Sequence, residues 1–412
     1  MPEPINDTSI GERIAHYRAR KGLTQLVLGA RVGRSENWVS KVERGVMPVS
    51  SFRMIVDLAS ALDVKNLADL TGQPLALAPS DSPEHDSITA IRAAMVALPA
   101  TRGATLSGRA LREDVLANRV ADAWHIYDHD KARYARLGPI LPELLGQAHR
   151  TARAADSEAT SAAATRSVIE VYHLLQVFLK RLGEPDLARL AADRALTLAT
   201  DTGDLVLMGA SAWNLGAVMV NRGEGDLALD LVRQMIGLMT PIPDGAPPEY
   251  VSVYGALHLV AVIAAARAGQ SGRGWDFLED AHRVSARMDV DRNDWRTSFG
   301  PTNVAMHAVH LAGEEGDPTL ALRYADDVEI SQDGVLPLER TTRYLMEVMN
   351  ATRMQRDDVA TLYTLQKIEA QSPEEIRYFP VAREAIRDLL KRERATYKAD
   401  LRALAARVGV ID

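Results

Sequence analysis

A pairing that recurs along the second half of this chain constrains its fold more than any other feature: a helix-ending residue followed, five positions later, by a small one. The pairs are Gly183 with Ala188, Gly223 with Ala228, Gly269 with Gly274, Gly316 with Ala321 and Gln355 with Ala360. A glycine can take the left-handed conformation that stops a helix, and a small residue early in the next helix lets the two backbones approach closely. Apolar residues on either side recur with helical period, and no stretch alternates with the period of a half-buried strand. The expectation is an all-α chain whose body stacks antiparallel helix pairs.

The segment Gly22 to Gly45, GLTQLVLGARVGRSENWVSKVERG, carries a second and independent pattern. Thr24 and Ser35 are suited to cap two short helices, with Leu28 and Val32 apolar on one and Val39 and Val42 on the other. Gly33 permits the turn between them, and Gly45 stops the second helix. The small-x3-Gly-x5-aliphatic spacing of Gly29, Gly33 and Val39 fits two helices crossing closely around a tight turn. Helical stripes lie upstream at Ile10, Ile14 and Tyr17, and downstream at Phe52, Ile55, Leu58, Ala59 and Leu62, before Leu67 and Leu70, which makes five helices in 1–72.

Along Arg18, Leu23, Gln25, Leu28, Gly33, Ser35, Val39, Glu43, Arg44, Gly45 and Leu62 the sequence resembles the Cro/repressor family of XRE-type helix-turn-helix domains. The resemblance implies that the helix after the turn enters the major groove of double-stranded operator DNA. It implies base reading by Glu36, Asn37 and Lys41 and a phosphate contact through Gln25. Asparagine suits adenine, lysine suits guanine, and glutamate either accepts from cytosine or complements the helix dipole. Trp38 is expected to face sugar, phosphate or a thymine methyl rather than the core. With Arg34, Ser35 and Arg44 these complete the DNA-contact set, while Arg18 and Glu43 match a structural ion pair. Leu26, Val27 and Gly29 depart from the family pattern. They are read either as tolerated drift or, for Leu26 and Val27, as an apolar patch docking on the rest of the protein.

Residues 73–87, rich in Pro, Ser and Asp, read as a linker, and 88–165 as a helical connecting region. The copy WNLGAVMVNRGEGDLALDLVRQM places Leu215, Gly216, Met219, Gly223, Ala228 and Val232 on tetratricopeptide-repeat positions. The region 166–380 is therefore similar to a tetratricopeptide-like α-solenoid. Its turns lie 39 to 47 residues apart, longer than the ideal of roughly 34. Loops such as Thr240 to Glu249 and the DVDRND stretch, 289–294, absorb the excess. Head and body together resemble bacterial regulators that join an XRE-type head to a tetratricopeptide-like sensor, including the peptide-responsive quorum-sensing group. A concave face in such an array takes a peptide or small molecule. Projection selects His173, Arg181, Trp213, Asn221, Arg267, Asn303, His310 and Arg353. Asparagines can bond a peptide backbone and arginines a carboxylate. Val381 to Val408 is amphipathic and reads as a solenoid cap or a dimer seam.

Composition narrows the alternatives. The 412 residues contain no cysteine, which excludes disulfides, thiolate zinc sites and cysteine nucleophiles. Met1 to Gly72 carries 10 basic against 8 acidic side chains, and the remainder 38 against 47, so a mildly basic head precedes an acidic body. That asymmetry suppresses non-specific DNA adhesion. His125 and His129 share a helix face without a zinc-protease glutamate, and Asp289, Asp291 and Asn293 begin a calcium-loop pattern that fails at Asp294 and Gly300. No phosphate loop, dinucleotide motif or catalytic serine set is found. The expected protein is a cytoplasmic, nucleoid-associated, homodimeric, non-enzymatic regulator without cofactor, metal or membrane span. The alternative is a protein-interaction scaffold or antitoxin-like autoregulator.

Overall fold

The structure, a computed structural model, describes residues 9–47, 49, 52–64, 67–71, 85–97, 109–288, 290–330 and 335–411. The head contains α1 (Ile10–Arg20), α2 (Gln25–Arg31), α3 (Glu36–Glu43), α4 (Phe52–Leu62) and α5 (Leu67–Thr71). Each of the first three begins with a side-chain cap. Ser9 and Glu12 form a reciprocal capping box, with the Glu12 carboxylate accepting from Ser9 N–H at 2.7 Å. Thr24 accepts from Val27 N–H at 3.2 Å, and Ser35 from Trp38 N–H at 3.1 Å. Such caps contribute about 1 kcal/mol each.

Ile14, Leu28, Val39, Val42, Leu58, Leu62 and Leu70 fill the head's core. Arg18 closes it at one edge, donating to both Glu43 carboxylate oxygens at 2.5 and 2.9 Å and to the Leu23 carbonyl at 2.8 Å. Gly29 has a structural cause: a Cβ there would stand 2.5 Å from the Arg34 carbonyl oxygen, so this turn is too tight for alanine without movement. Leu26 and Val27 are exposed at 60% and 40%, which corrects the docking role considered for them.

Of 73–87, residues 73–84 lie outside the described residues. His85 is packed edge-on against Phe178 of the body, with ring centroids 5.8 Å apart. The body opens with α6 (Ile88–Ala97), α7 (Glu113–His129), α8 (Arg133–Leu137) and α9 (Leu141–Ala154). Helix pairs follow: α10 (Glu158–Arg181) with α11 (Pro185–Thr202), and α12 (Leu205–Asn221) with α13 (Gly225–Met239). Next come α14 (Pro248–Arg267) with α15 (Ser271–Ser285), α16 (Pro301–Glu314) with α17 (Pro318–Asp326), and α18 (Leu338–Met354) with α19 (Asp358–Gln371). The chain closes with α20 (Pro373–Tyr378), α21 (Pro380–Lys391) and α22 (Lys398–Arg407).

The pair turns fall where the sequence pattern places them. Gly183, Gly223, Gly269 and Gly316 have φ between +73° and +80°, and at the fifth turn Arg356, one residue after Gln355, takes φ +59°. Ala188, Ala228 and Ala321 are fully buried at the crossings. The fold is thus a helix-turn-helix head followed by a tetratricopeptide-like α-solenoid.

Two features were not visible as such in the sequence. Helix α14 is long and apolar enough to cross a membrane by length and composition, yet 83% of that window is buried inside the solenoid. The C-terminal amphipathic faces are consumed within the chain: Ile386, Leu389, Leu401 and Leu404 bury against Met349, Leu365 and Ile368, covering the last solenoid face.

Candidate DNA-reading surface and enclosed cavity

Helix α3 presents Ser35, Glu36, Asn37 and Arg44 to solvent. The other residues expected to touch DNA are engaged inside the protein. Gln25 donates to Glu43 at 2.7 Å and so joins the Arg18–Glu43 frame. Trp38 is 5% exposed, which corrects the expectation of an outward-facing indole. Its ring is covered on one side by the Arg34 guanidinium, 5.7 Å from the centroid.

Arg34 leaves the head altogether and donates to the Ala266 carbonyl near the end of α14 at 3.0 Å. Burial lowers its pKa, partly offset by Glu314. Beside it the two chains of backbone nearly touch, because a Cβ on Gly269 would stand 2.3 Å from the Gly33 carbonyl oxygen. At the next solenoid turn a Cβ on Gly316 would lie 3.2 Å from Met47 Sδ and 3.4 Å from Lys41 Cδ. Burial lowers the Lys41 pKa while the Asp317 carboxylate raises it. The expected reader Lys41 therefore rests against the body, whereas Glu36 and Asn37 face outward.

The concave side of the solenoid encloses a cavity of about 120 Å³. Four of the eight projected residues line it: Arg181, Trp213, Asn221 and Asn303. The others do not. His173 is buried with Nε2 2.9 Å from Ser211 Oγ, and its burial holds its pKa at about 3. Arg267 bonds Glu314 at 2.9 Å and the Val220 carbonyl at 3.1 Å, while Arg353 pairs with Asp388. His310 lies at the head–body junction, with Nδ1 3.0 Å from Glu347. The projection failed for these because inter-helix ion pairs use the same helix positions as a groove.

The cavity's charge comes mostly from residues the sequence pattern did not single out. Lys180, Arg181, Arg296, Arg340 and Arg343 face Asp128, Glu339 and Glu347. Arg181 pairs with Glu339, and Arg296 lies 3.5 Å from Asp128. Lys180 has no carboxylate partner among the described residues, and burial with Arg181 and Arg343 nearby holds its pKa well below the lysine range. Burial alone would raise Glu347, yet His310, Arg340 and Arg343 outweigh it and hold it at about 2.

Trp124 and Tyr127 of α7 form an aromatic wall, and the loop 292–299 reaches in beside them. That loop is closed by two backbone bonds between Arg292 and Phe299, each 2.8 Å. Within it Trp295, Arg296 and Ser298 hold φ between +50° and +63°, a costly conformation for residues with side chains. Arg296 is thereby placed over the Trp124 ring, 5.2 Å from its centroid.

Residues 9–71 match a family model described as a helix-turn-helix domain. The head is a helix-turn-helix domain of the XRE-like class. No curated protein matches the chain by sequence. Among solved structures the chain is similar to Bacillus thuringiensis PlcR in complex with the peptide PapR7 and DNA, at 12% identity and a TM-score of 0.35, covering 82% of this chain and 99% of that one. It is also similar to the TPR domain of P58(IPK), at 11% identity and a TM-score of 0.24, covering 93% and 95%. The solenoid assignment rests on the chain's own helix pairs.

Behind the helix-turn-helix domain, the His125 and His129 rings stack at 4.6 Å, with His129 Nδ1 3.2 Å from the His125 carbonyl. No group of three or more His, Asp or Glu side chains with metal-binding geometry occurs among the described residues. Of the calcium-like pattern, Asp289 lies outside the described residues, and Asp291 instead accepts from Thr302 N–H at 3.1 Å.

Proposed function

We propose that this protein is a homodimeric transcription regulator that reads operator DNA through α3 and adjusts that reading to an effector held in the solenoid cavity. The observation that carries the proposal is the engagement of Arg34 and Lys41, both expected at DNA, by the solenoid turns at Gly269 and Gly316. A duplex reaching Lys41 needs space that the body occupies. The docked arrangement therefore opposes DNA binding, and anything that favours an undocked arrangement strengthens it. Glu36, Asn37 and Lys41 are the proposed base readers, and paired heads would span half-sites about 34–36 Å apart or a multiple of that spacing.

The effector proposed for the cavity is a peptide or small molecule with an anionic group and an apolar portion. Lys180 supplies an amine without a carboxylate partner among the described residues, whose charged form an arriving anion favours, Arg343 lies near it, and Trp124, Tyr127 and Trp213 supply apolar wall. Asn221 and Asn303 offer amide groups at the same surface.

Selection from a randomised duplex pool by the full chain tests the first half. An enriched motif that Asn37→Ala abolishes is the expected result, and no enrichment overturns it. Small molecules retained from host cytosol, identified by mass spectrometry, test the second. An acid retained by the wild type and lost from Lys180→Met supports it, whereas retention of no small molecule leaves the body a scaffold.

A further inference from the structure

A second cavity, which adjoins the concave one across Arg343 and Glu347, lies between the helix-turn-helix domain and the solenoid and measures about 200 Å³. One wall is Arg34, Trp38, Met47 and Met54 from the head, and the other comes from α16, α18 and α21. An apolar cavity of about 150 Å³ is enough to hold benzene, so this one has room for an organic molecule of roughly ten heavy atoms.

Four of the eighteen buried polar atoms left without a hydrogen-bond partner among the described residues belong to side chains that line this cavity. Arg34 Nε, His310 Nε2, Glu347 Oε2 and Asn350 Oδ1 are all buried and unpartnered, and all four residues line this cavity. His310 Nε2 has Glu314 at 3.6 Å, beyond hydrogen-bond reach. An unpaired buried polar atom costs about 1–3 kcal/mol, so an occupant that hydrogen-bonds these four is favoured at this cavity. The two glutamates of the lining are already engaged, Glu314 by Arg267 and Glu347 by His310. The unpartnered atoms ask the occupant for an acceptor and a donor together, which an uncharged amide or hydroxyl supplies. The occupant must accept from Arg34 Nε–H and donate to Glu347 or Asn350, with its apolar body against Trp38, Met47, Met346 and Phe379.

We propose that the head–body junction is a binding site for a small uncharged amphiphile, an aromatic or branched body carrying an amide or hydroxyl group, that touches both domains at once. Because such a ligand meets both walls only when the head is docked, it binds the docked arrangement and holds the head there. It acts as a brake distinct from the anion site of the concave cavity. This deepens the regulatory reading above and rests on its docked arrangement.

The test uses the full chain labelled with 5-fluorotryptophan, with the Trp38 resonance assigned by Trp38→Phe, and no DNA present. Phenylacetamide and tryptophol are the probes, and phenylacetate and phenethylamine are the charged controls. The neutral probes are expected to shift the Trp38 resonance saturably, with a dissociation constant on the order of 1 mM for ligands this small. The shift is expected to be lost in Asn350→Leu, which fills the cavity from the solenoid side. It is also expected to be lost in Gly269→Ala, which displaces the head without touching the cavity.

Silence of Trp38 toward both neutral probes overturns the site. An equal response to phenylacetate or phenethylamine overturns its neutrality, and a shift that survives Gly269→Ala overturns the two-walled geometry. Duplex selection is a separate measurement, so failure here is distinguishable from failure of operator reading.

Discussion

The Arg34 guanidinium donates to the Ala266 carbonyl at 3.0 Å, tying the residue just before the recognition helix to the end of the solenoid's most buried helix. Arg34→Ala separates two roles with opposite signs. If Arg34 served phosphate binding, its loss would weaken operator affinity. As a docking residue, its loss removes a charged hydrogen bond worth about 1.5–3 kcal/mol, and affinity rises by about tenfold. Fluorescence anisotropy at fixed salt with the selected duplex reads the sign.

Gly269→Ala makes the same prediction from a residue on the body. Its Cβ cannot share space with the Gly33 carbonyl, so the head must move and operator affinity must rise. Asp317→Asn is milder. It keeps an oxygen to accept the 3.0 Å bond from Leu320 N–H that caps α17, yet removes the charge facing Lys41, and a gain of about twofold is expected. Unchanged affinity in both variants would show that docking does not limit DNA binding.

Gly29→Ala sets helix propensity against packing. Propensity favours alanine by about 1 kcal/mol, but the new Cβ would lie 2.5 Å from the Arg34 carbonyl, a backbone atom that moves only with the turn. Packing prevails, and hydrogen exchange of the α2 and α3 amides is expected to accelerate. Slower exchange would mean that the turn relaxes freely.

Acid weakens the solenoid through its buried histidines. Burial lowers His149 to about 4 and His173 and His307 to about 3, from an ordinary value of 6.5. Above pH 6.5 these groups are neutral in both folded and unfolded chains, and stability is complete. As pH falls below 6.5 the unfolded chain takes up protons that the folded chain refuses, and stability drops until the folded values are passed. The slope approaches about 1.4 kcal/mol per pH unit for each histidine. Thermal melts between pH 7 and 4 check this, and His173→Gln is expected to flatten part of the loss.

The repeat was legible because each pair turn needs a chain stop and a close crossing, and few residue types supply either. Gly183, Gly223, Gly269 and Gly316 announce themselves for that reason. The head was legible through its caps and through Arg18 and Glu43. The cavity was only half legible. Arg181 and Asn303 follow from helix phase, but Lys180 sits one residue off the projected face, and Arg296 reaches the cavity from a loop whose backbone no periodicity describes. Trp38 runs against expectation because its indole joins the head's own core cluster with Leu28, Val39 and Leu58 while its edge borders the junction with the body, and neither contact follows from its place on the helix. Charged positions such as Arg267 and Arg353 look alike in sequence whether they await a ligand or already hold Glu314 or Asp388.

Helix α14 touches both places where the protein could be acted upon. Leu259, Val260 and Ile263 form part of the cavity wall, and Ala266, on the same rod, accepts the bond from Arg34. From Leu259 to Ala266 is a rise of about 10 Å along the axis. A helix packed on nearly every side cannot bend to absorb a push. Under the proposed regulation it moves as a unit, and a displacement of its middle carries the latch at its end. The membrane-like apolarity of this segment is then what a stiff rod needs when neighbours hold it along most of its length, the latch residue Ala266 included.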